Sequence, residues 1–272
     1  MDAFVMTDSM LTALETSFWV SLFAAPLGCF LIFRKLSFFG DALGHSTMAG
    51  IAVAYLLFGS SILPLSIGAA VSGILAAFVF QGASRVFQIS SDIALTVTYS
   101  TFFALGLYLL SQEHVHLDNY LMGDLWNINP QMLWFVRIWA FVVWFVLGLR
   151  WKAMWLNAAD PDLARSLGYS RSIQDFLVIG LVAISVVGMI QAVGVVLLTA
   201  YLVIPAAAAL PWARSLKSLM LLSVAFALAG SFMGIFLAAL EPAWHSGPCL
   251  ALTSAILFAA SHGVRWILRS AP

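Results

Sequence analysis

The sequence predicts an all-α integral membrane protein, one domain over 1–272 built as a bundle of eight to nine transmembrane helices. Three observations predict it. Of 272 residues 62% are hydrophobic and 9% charged, against roughly 25% charged in an average soluble domain. The apolar residues fall in runs long enough to cross a hydrocarbon layer about 30 Å thick as helix. Lys and Arg gather in the short segments at one end of those runs, as they do beside the cytoplasmic ends of membrane helices. The formal net charge is zero, and without a basic patch or stripe nucleic acid is excluded as a partner.

The runs lie near 12–33, 36–58, 62–82, 92–111, 131–150, 173–190, 194–212, 216–239 and 248–268. Nine crossings put the two ends on opposite sides. Arg34, Lys35, Arg85, Arg150, Lys152, Arg165, Arg171, Arg214, Lys217, Arg265 and Arg269 all fall on one side, leaving only Arg137 of the 12, inside a run. The N-terminus is therefore expected outside and the C-terminus in the cytoplasm. Only Gln191 to Val193 separate the sixth run from the seventh, and the count becomes eight if one of those two is broken or re-entrant.

Before the first run stand Asp2 and Asp8 but no Lys or Arg, the reverse of a signal peptide's basic start, so this span is expected to remain in the mature protein. Cys29 and Cys249 fall near opposite faces and are not expected to pair.

The second run, Leu36 to Phe58, carries Asp41 and His45. A spacing of four puts both side chains on one helix face, a carboxylate and an imidazole converging as a metal ligand pair. At about 1.5 Å per residue His45 is expected roughly 14 Å from the start of the run, near the midplane. Ionisable groups are costly there and mark an ion or substrate pathway; the alternative is that the two only hydrogen-bond neighbouring helices. Gly40 with Gly44, and Gly230 with Gly234, read as close helix packing. Pro26, Pro205 and Pro211 lie within or at the ends of runs; Pro205, the candidate for a break near a pathway, is read as a kink.

Between the fourth and fifth runs, 112–129 contains Glu113, His114, His116, Asp118 and Asp124, and the segment before the last run contains Glu241 and His245. His114, His116 and His245 are candidates for transient capture of a divalent cation on the outer face, since imidazole and carboxylate both suit zinc. His262 is expected to face headgroups or a neighbouring helix. The one long cytoplasmic connection, Trp151 to Ser172, reads as a short helix capped by Asp160, with Pro161 in first position, Asp162 in the first turn and Gly168 at its end. It is either a docking element or a plain connector. No G-x-x-x-x-G-K-[ST] loop, H-E-x-x-H or G-x-S-x-G occurs, so the chain is expected neither to hydrolyse ATP nor to act as an enzyme.

GDALGHSTMAGIA, YLMGDLW, DPDLARSLGYS, VGVVLLTAYLVIPAAAA and HSGPCLAL, in that order and spacing, resemble the membrane permeases of ATP-driven importers for manganese, zinc and related divalent metals. The resemblance runs from about residue 11 to 268. It implies a fold similar to type II ABC importer permeases, the class that includes the vitamin B12 permease, in a bacterial-type cytoplasmic membrane. It also implies a second copy of the chain, two cytoplasmic ATPase subunits that alone bind ATP, an extracytoplasmic metal-binding protein, and Zn²⁺ or Mn²⁺ as cargo with no resident cofactor. The family's intramembrane metal pair falls on Asp41 and His45, and its ATPase-coupling helix on Asp160, Pro161, Asp162, Ala164, Arg165 and Gly168. Two positions depart from the pattern: Gly44 replaces an alanine-like residue, and Ser100 stands where some zinc-type relatives carry histidine. The competing readings are a stand-alone secondary transporter or channel for metal or protons, a permease for a metal chelate or corrinoid, and a scaffold whose polar groups only pack helices.

Overall fold

The computed structural model describes residues 8–111, 125–241 and 244–270. Those residues are helical almost throughout: α1 (Asp8–Phe33), α2 (Phe39–Phe58), α3 (Ile62–Val86), α4 (Ser91–Leu110), a 3-10 turn (Leu125–Asn127), α5 (Pro130–Ala159), α6 (Pro161–Ser166), α7 (Arg171–Leu202), α8 (Ile204–Ala209), α9 (Leu216–Ala239) and α10 (Ser246–Ser270). Eight stretches among them are long and apolar enough to cross a membrane. The chain is a multi-pass membrane protein.

The region from the sixth run to the seventh departs from a pair of plain spans. Gly194 interrupts α7 with φ 76° and ψ 167°, a conformation open to glycine and strained for any residue with a Cβ. Before it, Gly188 packs against Phe135 near the start of α5. At the other end Asp175 pairs with Arg34, which follows α1, and Leu210, Ala213, Arg214 and Leu216 line a cavity of about 300 Å³ with Phe33 and Ala159. Both the start of α7 and the start of α9 therefore lie at the end of the bundle where Arg34 and Arg214 gather, here called the inner end. The chain crosses from Arg171 toward Gly194 and returns by a leg broken at Val203 into 195–202 and α8. The return leg contains no helix of spanning length, which is why the described residues hold eight long helices although the sequence has nine apolar runs. Pro205 opens α8 within its first turn; the expected kink is a break, because proline supplies no N–H to continue the preceding helix. Where α8 ends, a carbonyl finds its partner inside the protein: Ser261 Oγ donates to Ala208 O at 2.6 Å, and Trp212 Nε1 donates to Ser261 Oγ at 2.8 Å.

α1 is the central helix, with Phe23, Leu27, Phe30 and Leu31 buried against the rest. Pro26 is accommodated inside it. Tyr201 of the return leg is tied to α9 by Ser231, which also meets Ser21 of α1. Gly40 packs against the side chains of Leu198 and Leu202, and Gly230 and Gly234 against Ser254 and Leu250 of α10, as the small-residue spacing predicts. Arg137, the one cation away from the inner end, is neutralised by Glu15: its Nε donates to Oε1 at 2.9 Å, and Nη2 donates to the same oxygen. Cys29 and Cys249 are both free and buried.

Candidate metal pathway

α2 begins at Phe39, three residues later than the apolar run, because Leu36 to Phe38 form the turn from α1. Lys35 makes that turn possible. It adopts φ 57°, and Leu36 N donates to Leu31 O while Lys35 N donates to Ile32 O, the paired bonds of a Schellman stop. Asp41 consequently sits in the first turn of α2, where the positive end of the helix favours a carboxylate. His45 lies about 9 Å into the helix at 1.5 Å per residue. That is nearer the start of the helix than the roughly 14 Å expected from the apolar run, because the helix starts three residues later.

The two side chains do converge. His45 Nε2 is 3.6 Å from Asp41 Oδ2, with the histidine side chain 29% and the aspartate 21% exposed. That separation is too long for a good hydrogen bond. It matches the bite of one first-row cation about 2.1 Å from each ligand with an angle of about 120°. The ring is fixed by α4: Phe103 meets it edge-on with centroids 5.0 Å apart, and Tyr99 lies at 6.3 Å. His45 Nδ1 is buried without a hydrogen-bond partner among the described residues. Ser100, between these aromatics in sequence, is exposed. Sequence reasoning missed Tyr99 and Phe103 because aromatic residues in an apolar run carry no signal of which one faces a histidine.

α2 holds this geometry by close contact on both sides. A Cβ on Gly50 would lie 1.9 Å from the carbonyl oxygen of Gly68 in α3, so the backbones touch. Beside that crossing Ser72 Oγ donates to Ser46 O at 2.6 Å. Gly44 is buried and its carbonyl accepts from Thr47 Oγ1.

The short inner helix forms as its caps predict. Asp160 Oδ1 accepts from the amides of Asp162 and Leu163 at 3.1 and 3.0 Å, Pro161 opens α6, and Gly168, at φ 83°, closes it with Tyr169 N donating to Ala164 O. Asp160, Pro161, Ala164 and Gly168 therefore build the helix, Ala164 being its buried contact. Asp162 and Arg165 are exposed and 3.7 Å apart. Leu163 and Leu167, which the motif did not single out, are exposed beside them.

His114 and His116 lie outside the described residues. His245 is exposed. His262 stays against its own helix, its Nδ1 3.1 Å from Phe258 O. Among the described residues no group of three or more His, Cys, Asp and Glu is gathered as a metal site; Asp41 and His45 come together as a pair.

A membrane bundle with a carboxylate and an imidazole paired on α2 and a short capped helix at its inner end has the form of a transporter's permease. The model of the ABC 3 transport family matches residues 6–264, and the chain belongs to that family. It is 34% identical over 252 residues to the manganese import system permease protein ScaB of Streptococcus parasanguinis, covering 92% of this chain and 88% of that one. It is 31% identical over 244 residues to the zinc transport system membrane protein TroC of Treponema pallidum, covering 86% and 81%. Among solved structures it is similar to PsaBC from Streptococcus pneumoniae in complex with Fab, with a TM-score of 0.80, 30% identity, and 94% and 91% of the two chains covered.

Proposed function

We propose that this chain is the membrane-spanning subunit of an ATP-driven importer that passes a divalent transition metal, manganese or zinc, to the cytoplasm between two copies of itself. The convergence of Asp41 and His45 within a span of an ABC 3 family chain carries the reading. Each copy offers one carboxylate oxygen and one imidazole nitrogen. Two copies would offer four ligands, and His45 must be neutral to take part. Binding by so few groups per subunit is weak enough for the ion to leave, which conduction requires. Affinity does not choose the metal at an N/O site, so manganese and zinc both fit. Relatives named for each support that breadth.

ATP hydrolysis belongs to two separate subunits that dock on α6. Its exposed Leu163, Leu167, Asp162 and Arg165 offer an apolar contact framed by charge. An extracytoplasmic binding protein delivers the ion to the far end of the bundle. The N-terminus lies outside and the C-terminus in the cytoplasm, following the basic residues of the inner end.

The test is metal accumulation in proteoliposomes. Uptake should require the ATPase subunits and enclosed ATP, and substituting Asp162 and Arg165 together should reduce both co-purification of the ATPase and metal-stimulated hydrolysis. Uptake by this chain alone without ATP would instead make it a secondary transporter or channel.

A further inference from the structure

A second polar site lies at the inner end, apart from Asp41 and His45. A cavity of about 540 Å³ opens between the turn after α1, the ends of α3 and α5, and the starts of α4, α6 and α7. Arg34 lines it with a side chain only 10% exposed. Its Nη1 donates to Asp175, but Nε and Nη2 are buried with no partner among the described residues. Leaving charged donors unmade is costly, and burial already lowers this guanidinium's pKa, with the Asp175 carboxylate opposing the effect.

The charges around the cavity do not cancel. Arg171 Nε lies 3.7 Å from the other oxygen of Asp175, so one carboxylate serves two guanidiniums, and Lys35 adds a third cation to the lining. Ser91, in the first turn of α4, and Ser172, in the first turn of α7, also line it. The starts of two long helices therefore turn their positive ends toward the same space. Asn157, on another wall, leaves its Oδ1 buried and unpartnered, a place for a hydroxyl or ammonium carried beside an anion.

We propose that this cavity binds a phosphate-bearing anion, the headgroup of an anionic phospholipid or a free phosphate, through Arg34, Lys35 and Arg171. The open edge of a guanidinium matches two phosphate oxygens at once. Pro161, the first residue of α6, lines the same cavity. Occupancy therefore braces α6 against the end of α1 and tunes the helix proposed to receive the ATPase. The binding itself does not depend on the metal pathway.

The experiment measures retention of phosphatidylglycerol against phosphatidylcholine on the full chain by native mass spectrometry, and its thermal protection by inorganic phosphate against chloride at matched ionic strength. The wild type should retain phosphatidylglycerol selectively, or be protected by phosphate, the two results naming the source. Lys35→Gln with Arg171→Gln, both exposed positions, should weaken the effect about tenfold or more, since charge-assisted contacts are lost. Arg34→Gln should do the same. Asp175→Asn, which removes the competing carboxylate, should strengthen it, a gain that misfolding cannot produce. Equal retention of both lipids together with no phosphate protection, or binding unchanged in the Lys35 and Arg171 double variant, would overturn the proposal.

Discussion

Gly50→Ala should loosen the packing that holds Asp41 and His45 in place while leaving both side chains intact. The added Cβ would stand 1.9 Å from Gly68 O and 2.5 Å from both Gly68 C and Ser72 Cβ. A carbon needs about 3.3 Å from an oxygen, so α2 and α3 must part by roughly 1.4 Å at the crossing. A gap of about 0.5–1 Å already forfeits a quarter to a half of the dispersion well, so most of the local contact is lost. The bond from Ser72 Oγ to Ser46 O, now 2.6 Å, would be stretched with it. The neighbour is backbone and cannot swing away, so the cost should reach the upper end of the overpacking range, about 3 kcal/mol. Gly148→Ala is the control, because nothing lies within 4 Å of its Cβ. Thermal unfolding of the two variants in detergent, beside wild type, reads the difference. Equal midpoints for Gly50→Ala and Gly148→Ala would refute the close crossing.

Asp160→Ala removes the acceptor for two backbone amides of α6; such a cap is worth about 1 kcal/mol, and ATPase co-purification should fall while the chain's own unfolding midpoint barely moves. Ser72→Ala should cost about 0.6–1 kcal/mol, the range for a hydrogen bond between membrane helices, again read from thermal unfolding. Phe103→Ala frees the face of His45 that Phe103 covers; metal uptake should drop with assembly and ATP binding unchanged, and unchanged uptake would remove the ring from the positioning of His45.

What could be read from residues alone follows the strength of each local signal. The spans were legible because solvent chemistry dictates their length, and α6 because Asp160, Pro161 and Gly168 each fix one end by backbone chemistry. The convergence of Asp41 and His45 followed from helical spacing. Their distance from the helix start did not: Leu36 to Phe38 are as apolar as the helix they precede, yet hydrogen bonding at Lys35 places them in a turn. The broken return leg was legible only as a short gap at Gln191 to Val193 and a proline at Pro205, because hydropathy is blind to backbone conformation. The contacts of His45 with Phe103 and Tyr99, and the cavity at Arg34, join residues distant in sequence. No local pattern encodes them.

The measurement that bears most directly on the central claim is ATP-driven accumulation of manganese and zinc, offered together, by the chain reconstituted with its ATPase subunits and carrying either Asp41→Ala or His45→Ala. Each variant should still assemble into a complex whose ATPase subunits bind ATP, yet accumulate neither metal. Wild-type accumulation in both variants would contradict the assignment of this pair to the ion's path.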